Sequence, residues 1–315
     1  MSNLCQCTLG KENTQGNTCP DLSQIAARII IVPKYNAAGA VNEIANVAGI
    51  TKSALQAKFD ANDIDDRWFP LTEFKNVVEA KADSIFQEFT DRTKVLIDEG
   101  KRNFEGHIIS QGSILLGKLK SWACQEFGIY VIDKNSNFIY QTDTTTGLKV
   151  QPIPVDSESW TATLVKATDT TVAMIKISFD FSMIARDEQL RTRAYEDLNF
   201  DGLDTADVYA LYTVNGVTSS LLATSITLTL TTDYGLPVKN LLAPDFYSAH
   251  GVGTGSELWR TSGTPAAFAI TGFAETSDGV YKIDFVTQTG ATVRITPDKA
   301  KYDFAEVVSL ATTLP

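Results

Sequence analysis

The stretch WTATLVKATDTTVAMIKISFDFSM, residues 160–183, decides the fold of this chain. In its second half polar residues alternate with apolar ones, which occupy the odd positions Ala173, Ile175, Ile177, Phe179 and Phe181. Because successive side chains of a strand point to opposite faces, this period of two predicts a half-buried antiparallel strand. Residues 160–164 alternate in the same way, and residues 167–170 form a polar turn between the two runs. The stretch therefore predicts a long β-hairpin.

Further strands precede this hairpin. Residues 27–32 form a short, apolar, β-branched run that Pro33 ends, and residues 127–132 and 138–141 flank a segment rich in turn formers. Residues 73–110 fit both a helix and strands, and we favour strands after residue 84 because 94–98 and 103–109 lie on either side of a Gly-Lys turn. The first part of the chain is therefore expected to be mainly β.

One or two helices interrupt these strands. Leu115, Leu119 and Trp122 recur at spacings of four and three, which predicts a helix at 112–124. Thr51 suits the N-cap of a shorter helix at 52–60.

Length and composition divide the chain into two domains. At 315 residues it exceeds one typical domain. We expect a flexible arm at 1–24, an antiparallel β-sandwich at 25–190, a charged linker at 191–207 and a small Ser/Thr-rich β-sandwich at 208–315. The strands predicted in the last part are 208–214, 225–231, 267–273, 280–286, 292–296 and 306–311.

Bulk composition narrows the possible functions. The content of 43% hydrophobic and 21% charged residues is typical of a globular protein, and the net charge of −11 argues against a protein that grips nucleic acid. No run approaches the ~18 to 20 apolar residues that a membrane span needs.

The N-terminal segment lacks the basic start and apolar core of a signal peptide, so we expect the chain to be made and kept in a cytoplasm. Four cysteines are few for this length, so a disulfide-stapled secreted fold is not expected.

Asp197, Asn199 and Asp201, followed by Gly202, resemble the start of a calcium-binding loop. Position 12 of such a loop should close the ligand shell with a carboxylate, but Val208 occupies it. A plain interdomain turn explains the segment better than calcium does.

Metal and nucleophile sites are equally incomplete. Cys5, Cys7 and Cys19 lack a fourth zinc ligand nearby, so unpaired thiols are the better interpretation. His107 alternates with apolar neighbours and is expected to be a half-buried structural residue. His250 precedes a glycine-rich run that lacks the lysine of a phosphate-binding loop.

Two acidic pairs, Glu88 with Asp91 and Asp98 with Glu99, have the carboxylates that a hydrolase needs. Nothing in the sequence distinguishes them from ordinary acidic residues on a solvent-exposed face. No catalytic, cofactor-binding or metal-ligating residue is therefore predicted, and we expect a protein that is not an enzyme.

Three stretches of the first domain resemble virion structural proteins of tailed phages that infect Bacteroidetes. They are RWFPL at 67–71, SIFQEFTDRTKVLIDEGKRNFEGHIISQGSILLGKLK at 84–120 and VQPIPVDSESWTATLVKATDTTVAMIKISFDF at 150–181. In the second domain, TSITLTLTTDYGLPVKNLLAPDF and ETSDGVYKIDFVTQTG are similar to the immunoglobulin-like (Ig-like) modules that phages append to tail and capsid proteins.

Among virion proteins, long antiparallel hairpins around an amphipathic helix are similar to a tail tube subunit. The resemblance implies a β-sandwich whose sheet joins those of its neighbours in hexameric rings, with the rings stacked around a lumen that carries phage DNA. It also implies contacts with other tail or head-completion proteins, an Ig-like module on the exterior and a place in the virion after assembly in the host cytoplasm. Exposed strand edges and an acidic surface fit this expectation, because edges need partners and like charge lets DNA pass without binding.

Two alternatives remain open at this point. One is a capsid decoration or head-tail connector protein. The other is a carbohydrate-binding β module, in which Trp259, Tyr247 and Tyr281 are candidate stacking residues.

Overall fold

A computed structural model describes residues 25–61, 63–90, 92–98, 100–109, 112–143, 145–246, 257–260, 266–287, 292–294, 302–304 and 312–313. The chain forms two compact units: residues 1–58 with 63–208, and residues 59–62 with 209–315. Both units are mainly β, and two α-helices are present in the described residues, so the prediction of a mainly β, antiparallel fold with one or two helices is confirmed.

The first unit contains twelve of the described strands. They are β1 (Ala26–Pro33), β2 (Phe69–Pro70), β3 (Lys75–Lys81), β4 (Ile85–Glu88), β5 (Lys94–Asp98), β6 (Arg102–Ile108), β7 (Phe127–Asp133), β8 (Phe138–Thr142), β9 (Val150–Gln151), β10 (Ile153–Val165), β11 (Met174–Phe181) and β12 (Leu190–Arg193). The helices are α1 (Lys52–Phe59) and α2 (Ser113–Lys120). The Thr51 hydroxyl accepts a hydrogen bond from the amide of Ala54 at 3.2 Å, which is the N-cap contact expected from the sequence.

These strands form a β-sandwich in which one strand belongs to both layers. One layer contains β12, β8, β7 and β1, and the other contains β11, β6 and β3. Strand β10 pairs with β7 at Ile153, and with β11 at Val155 and Asp156 and again from Thr161 to Val165. A bulge between Asp156 and Thr161 bends the strand, and the pairing of β10 with both β7 and β11 links the two layers.

The core lies between the two layers and is rich in aromatic rings. The Phe179 ring stacks on Phe104 at 4.9 Å and on Trp160 at 5.3 Å. The Trp160 indole nitrogen donates to the carbonyl of Leu119 in α2 at 2.7 Å, so the helix closes one side of the core. All the odd positions expected to be apolar in β11 face this core: Ile175, Ile177, Phe179 and Phe181.

The opposite face of the β1–β7 layer is also covered. Every residue of β7, and every residue of β1 except Pro33, is buried. Trp68 packs on Tyr130 with ring centroids 5.0 Å apart, and Gly202 lies against the side chain of Ile132. A strand that is buried on both faces has apolar residues at successive positions and not only at alternate ones, which explains the largely apolar sequence of 27–32.

Residues 191–207, expected to be a linker, belong to the first unit. The strand β12 pairs with β8, and Phe200 is buried. The guanidinium of Arg28 donates to the carbonyls of Gly202 and Val208, each at 3.0 Å. The segment looked like a linker because its charges suggested exposure, but several of its acidic groups accept hydrogen bonds from the unit.

The second unit contains a sheet of eight described strands: β13 (Tyr212–Leu222), β14 (Ser225–Thr232), β15 (Glu257–Arg260), β16 (Ala266–Ser277), β17 (Val280–Phe285), β18 (Thr292–Arg294), β19 (Tyr302–Asp303) and β20 (Thr312–Thr313). The strand expected at 306–311 lies outside the described residues. Residues 59–62, expected in the first domain, belong to this unit, where the Tyr209 hydroxyl donates to Asp60 at 2.7 Å.

Tyr281 is the centre of the second core. It is fully buried, packs on Phe246 at 5.2 Å and Phe273 at 5.8 Å, and its hydroxyl donates to the carbonyl of Val238 at 2.7 Å. The amide of Leu241 donates back to that hydroxyl at 3.1 Å. Burial raises the pKa of Tyr281 to about 12, so the hydroxyl stays protonated and holds the loop after β14.

Candidate assembly surface

One layer of the first unit has a face that is exposed or half-buried in the residues that the structure describes. This open sheet consists of β3, β6, β11 and the second part of β10. The core-facing residues of β6 and β11 are buried, whereas the residues on the outer face of the sheet, the open face, are exposed or half-buried. Cross-strand pairs place Lys75 beside His107, His107 beside Lys176 and Lys176 beside Thr163.

Charges on the open face are balanced and paired. The ammonium of Lys176 lies 2.6 Å from the Glu105 carboxylate, and that of Lys75 lies 2.6 Å from Glu73. The face therefore does not concentrate the net negative charge of the chain. Its cations are engaged with carboxylates, so the face offers little to a phosphate backbone.

Strand β3 is the edge of the open sheet. Among the described residues it pairs with β6 on one side only. A bulge shifts its register between Lys75 and Val78, and Asn76 in that bulge adopts a φ of 50°. All its residues except Val77 are exposed, and Val78 retains 55% of its surface. An exposed edge of this length is a template for pairing with another chain.

Strands β4 and β5 form a separate hairpin, residues 85–98, that extends from β3 and β6. Within the described residues they pair only with each other. Four large apolar side chains on this hairpin are about half exposed: Ile85 at 56%, Phe86 at 55%, Phe89 at 47% and Val95 at 52%. A two-stranded hairpin is at best marginally stable in water, so one with exposed aromatic rings is expected to gain a partner.

Gly100 joins this hairpin to the open sheet. Its φ is +76°, and a Cβ there would lie 2.1 Å from the carbonyl oxygen of Ala82. The amide of Ala82 donates to the carbonyl of Lys101 at 2.9 Å across the same junction. Only glycine allows the two strands to approach so closely at this conformation.

His107 lies half-buried in β6, as the sequence suggested. Its Nδ1 is buried without a hydrogen-bond partner in the described residues. The second histidine of the chain, His250, lies outside the part that the structure describes.

The carboxylates of the calcium-like loop bond to the protein itself. Asp201 accepts from the amide of Leu203 at 2.9 Å, and Asp207 accepts from the amide of Asp201 at 2.8 Å and from the ammonium of Lys52. In the described residues, no group of three or more His, Cys, Asp and Glu side chains is placed to hold a metal ion.

Asp143 lies in the turn after β8, beside a polar depression of about 340 Å³. Although desolvation opposes the effect, hydrogen bonds from Thr146, Lys149 and Leu148 hold the pKa of Asp143 well below its ordinary value. This carboxylate remains ionised near neutral pH and is unsuited to act as a general base there.

The remaining candidates from the sequence are dispersed. Tyr281 is buried, so it is not available to stack on a sugar, and this part of the carbohydrate hypothesis is wrong. Glu88 pairs with Lys94 at 3.4 Å. Cys124 is a free, exposed thiol. Other candidates lie outside the described residues or have side chains that are not described: Cys5, Cys7, Cys19, Asp91, Asp98, Glu99, Tyr247 and Trp259.

Sequence reasoning missed two features. The apolar residues of 85–95 look like strand core and gave no sign that they are exposed. Arg28 interrupts the apolar run ARIIIV, and this unusual position was the available signal for a buried cation that binds a distant segment.

Fold and surface together define a two-unit, mainly β protein, in whose described residues one sheet has an edge strand paired on one side only and an apolar hairpin forms a separate two-stranded sheet. Neither a family model nor a curated protein matches this sequence. In the described residues, no helix is long and apolar enough to cross a membrane.

Proposed function

We propose that this chain is a virion structural protein of a tailed phage, the tail tube subunit, which polymerises as stacked hexameric rings around a DNA-conducting lumen. The observation that carries the proposal is the open sheet, whose edge strand β3 is exposed and unpaired among the described residues. A closed ring satisfies such edges, because each copy supplies the strand that its neighbour lacks.

Two further observations support the proposal. The open face pairs its lysines with carboxylates, and the chain carries a net charge of −11. A wall with these properties lets DNA pass without holding its phosphates. Partners in this proposal are other copies of the chain and other tail or head-completion proteins.

The second unit is proposed to be an Ig-like decoration module on the exterior. Its antiparallel strands β13, β14, β17 and β16, with a buried tyrosine on β17 bonded to a loop, are compatible with such a module.

Negative-stain microscopy and analytical ultracentrifugation of the purified full chain test the proposal. Rings or tubes are expected, with no retardation of DNA in a gel-shift assay at physiological salt. A monomer at all concentrations and salt conditions contradicts the tube function and favours a decoration protein that binds only to an existing capsid lattice.

A further inference from the structure

Residues 194–211, which we call the strap, join β12 to β13 without pairing with a strand of either sheet. They contain one short 3-10 helix, Tyr195–Asp197. Phe200 and Val208 are buried, but both lie outside the main cores of the two units. A segment with no sheet pairing and few buried side chains opens at a lower free energy than the cores of its protein.

The turn between β7 and β8 holds the first half of the strap. The side chain of Asn137 accepts a hydrogen bond from the amide of Tyr195 at 3.0 Å, and the hydroxyl of Ser136 donates to the carboxylate of Asp201. Both contacts are polar, and they are not part of a ladder of backbone hydrogen bonds. The first half of the strap is therefore held at separate points.

Helix α1 and strand β1 hold the second half of the strap. The ammonium of Lys52 contacts the carboxylate of Asp207, and the guanidinium of Arg28 donates to the carbonyls of Gly202 and Val208. Because these contacts lie at different positions along the strap, they can be lost one after another.

The end of the strap lies in the second unit. There the Tyr209 ring packs on Phe59 with centroids 5.8 Å apart, and its hydroxyl donates to Asp60 at 2.7 Å. A force that stretches the chain from its two ends therefore acts on Tyr209 before it acts on the rest of the strap. Strand β1, which takes the same force at the other end of the first unit, is harder to detach because it is buried and pairs with β7 from Ala26 to Pro33.

We propose that the strap is a releasable tether: under a stretching force it detaches from the first unit, beginning at its C-terminal end, while the cores of both units stay folded, and it rebinds when the force is removed. At ~3.3 Å per residue the fully extended strap reaches about 60 Å. The contact of Tyr209 is lost first, then that of Asp207, then that of Asp201. This inference goes beyond the proposed function and does not depend on it.

Single-molecule force spectroscopy of the full chain, held by peptide tags at its two ends, tests the proposal. A reversible extension of roughly 30 to 50 Å should precede the unfolding of either unit, because the folded strap already spans part of its extended length. Unfolding of a unit is recognised by its much longer step of several hundred Å, on the order of 100 residues or more at ~3.3 Å each. Units that unfold with no short extension before them would overturn the proposal.

A disulfide lock identifies the strap as the source of the extension. Serine first replaces the four cysteines, and then Ser136→Cys and Asp201→Cys are introduced together, with the disulfide verified by mass spectrometry. The oxidised lock keeps residues 194–201 attached, so the extension should fall by about half, and a reductant should restore it. Gln87→Cys with Val95→Cys, which are cross-strand partners in the β4–β5 hairpin, is the matched control and should leave the extension unchanged. A full-length extension from the oxidised lock would overturn the proposal.

Lys52→Met tests the order of release without a disulfide. Loss of this ammonium removes one of the first contacts to be loaded, so at constant force the strap should detach about threefold faster or more. Lys34→Met is the matched control, because Lys34 pairs with the exposed Glu126 at 3.1 Å and has no contact with the strap among the described residues. Equal rates of detachment in Lys52→Met and wild type would overturn release from the C-terminal end.

Discussion

The guanidinium of Arg28 donates a hydrogen bond of 3.0 Å to the carbonyl oxygen of Val208, 180 positions further along the chain. The same side chain donates to the carbonyls of Leu71 and Gly202, each at 3.0 Å. One buried cation therefore ties the last residues of the first unit to its first strand. Burial lowers the pKa of Arg28, and Glu73, Asp201 and Asp204 oppose this effect, so the guanidinium stays charged at neutral pH.

Replacement of Arg28 should weaken the first unit. Arg28→Leu leaves three carbonyls without their donor and should lower the free energy of unfolding by about 3 kcal/mol, because buried acceptors that lose a charged partner pay their full desolvation cost. Arg28→Lys should lose less stability than Arg28→Leu, because its ammonium still offers a donor to the carbonyls. It should remain less stable than wild type, because one ammonium cannot reach all three acceptors. Urea unfolding followed by tryptophan fluorescence measures both. Equal stability of wild type and Arg28→Leu would contradict the assigned role.

Asp207 should make the stability of the first unit depend on acid. The hydrogen bond from Lys52, with that from the amide of Asp201, lowers the pKa of Asp207 in the folded state. The unfolded state then binds the proton more tightly, so stability from this group is complete above the unfolded pKa of about 3.9 and is lost as pH falls through the folded pKa.

Comparison of wild type with Asp207→Asn at pH 6 and pH 3.5 measures this contribution. At pH 6 the variant should be less stable by about 1 kcal/mol, a modest amount because Lys52 is partly exposed. At pH 3.5 the difference should shrink. A difference that is the same at both pH values would show that Asp207 does not carry the effect.

The fold was predictable wherever a single pattern was decisive. The alternation in 173–181 gave β11, and the turn at 133–137 gave the β7–β8 hairpin. Strand β3 was ambiguous because Val77 and Ala80 have helical spacing, and their strand conformation depends on pairing with β6. Helix α2 ends earlier than expected, at Lys120, and Cys124 has a φ of 66°.

The candidate surface was less predictable than the fold. An apolar residue reads the same whether it enters a core or remains at a surface, so Phe86 gave no sign of its exposure. The free edge of β3 is equally silent in the sequence, because an alternation of apolar and polar residues shows which face of a strand is buried and not whether its edge is paired.

Gly100→Ala should disturb the junction between the hairpin and the open sheet. The new methyl group would meet the Ala82 carbonyl at 2.1 Å, and the residue would also adopt an unfavourable φ of +76°. Gly39→Ala is a matched control, because Gly39 has a φ of +77° and nothing within 4 Å of the added Cβ. Thermal unfolding and hydrogen exchange of residues 82–101 should change more in Gly100→Ala, and equal effects would mean that the close approach is not important.

Val78→Lys should prevent copies from joining at the edge strand. Val78 is 55% exposed, so the variant should keep its melting temperature within about 2 °C while ring formation falls at least about tenfold, because a charge on an edge opposes strand pairing. Val217→Lys, at 64% exposure in the second unit, is the control and should assemble normally. Sedimentation velocity measures both. Normal rings from Val78→Lys would place the contact between copies elsewhere.

Tyr281→Phe should weaken the second unit and leave the first unchanged. The substitution removes the acceptor of the Leu241 amide and the donor to the Val238 carbonyl, and it should cost about 1 to 2 kcal/mol. Calorimetry that resolves two transitions should show a shift in one of them only. A shift in both would mean that the two units unfold together.

The bend in β10 has a mechanical consequence. Since one strand of 13 residues serves both layers, a pull on either layer reaches the other through covalent backbone as well as through side-chain packing. In the tube proposed above, this covalent link between the layers would help the wall to withstand sudden strain without coming apart.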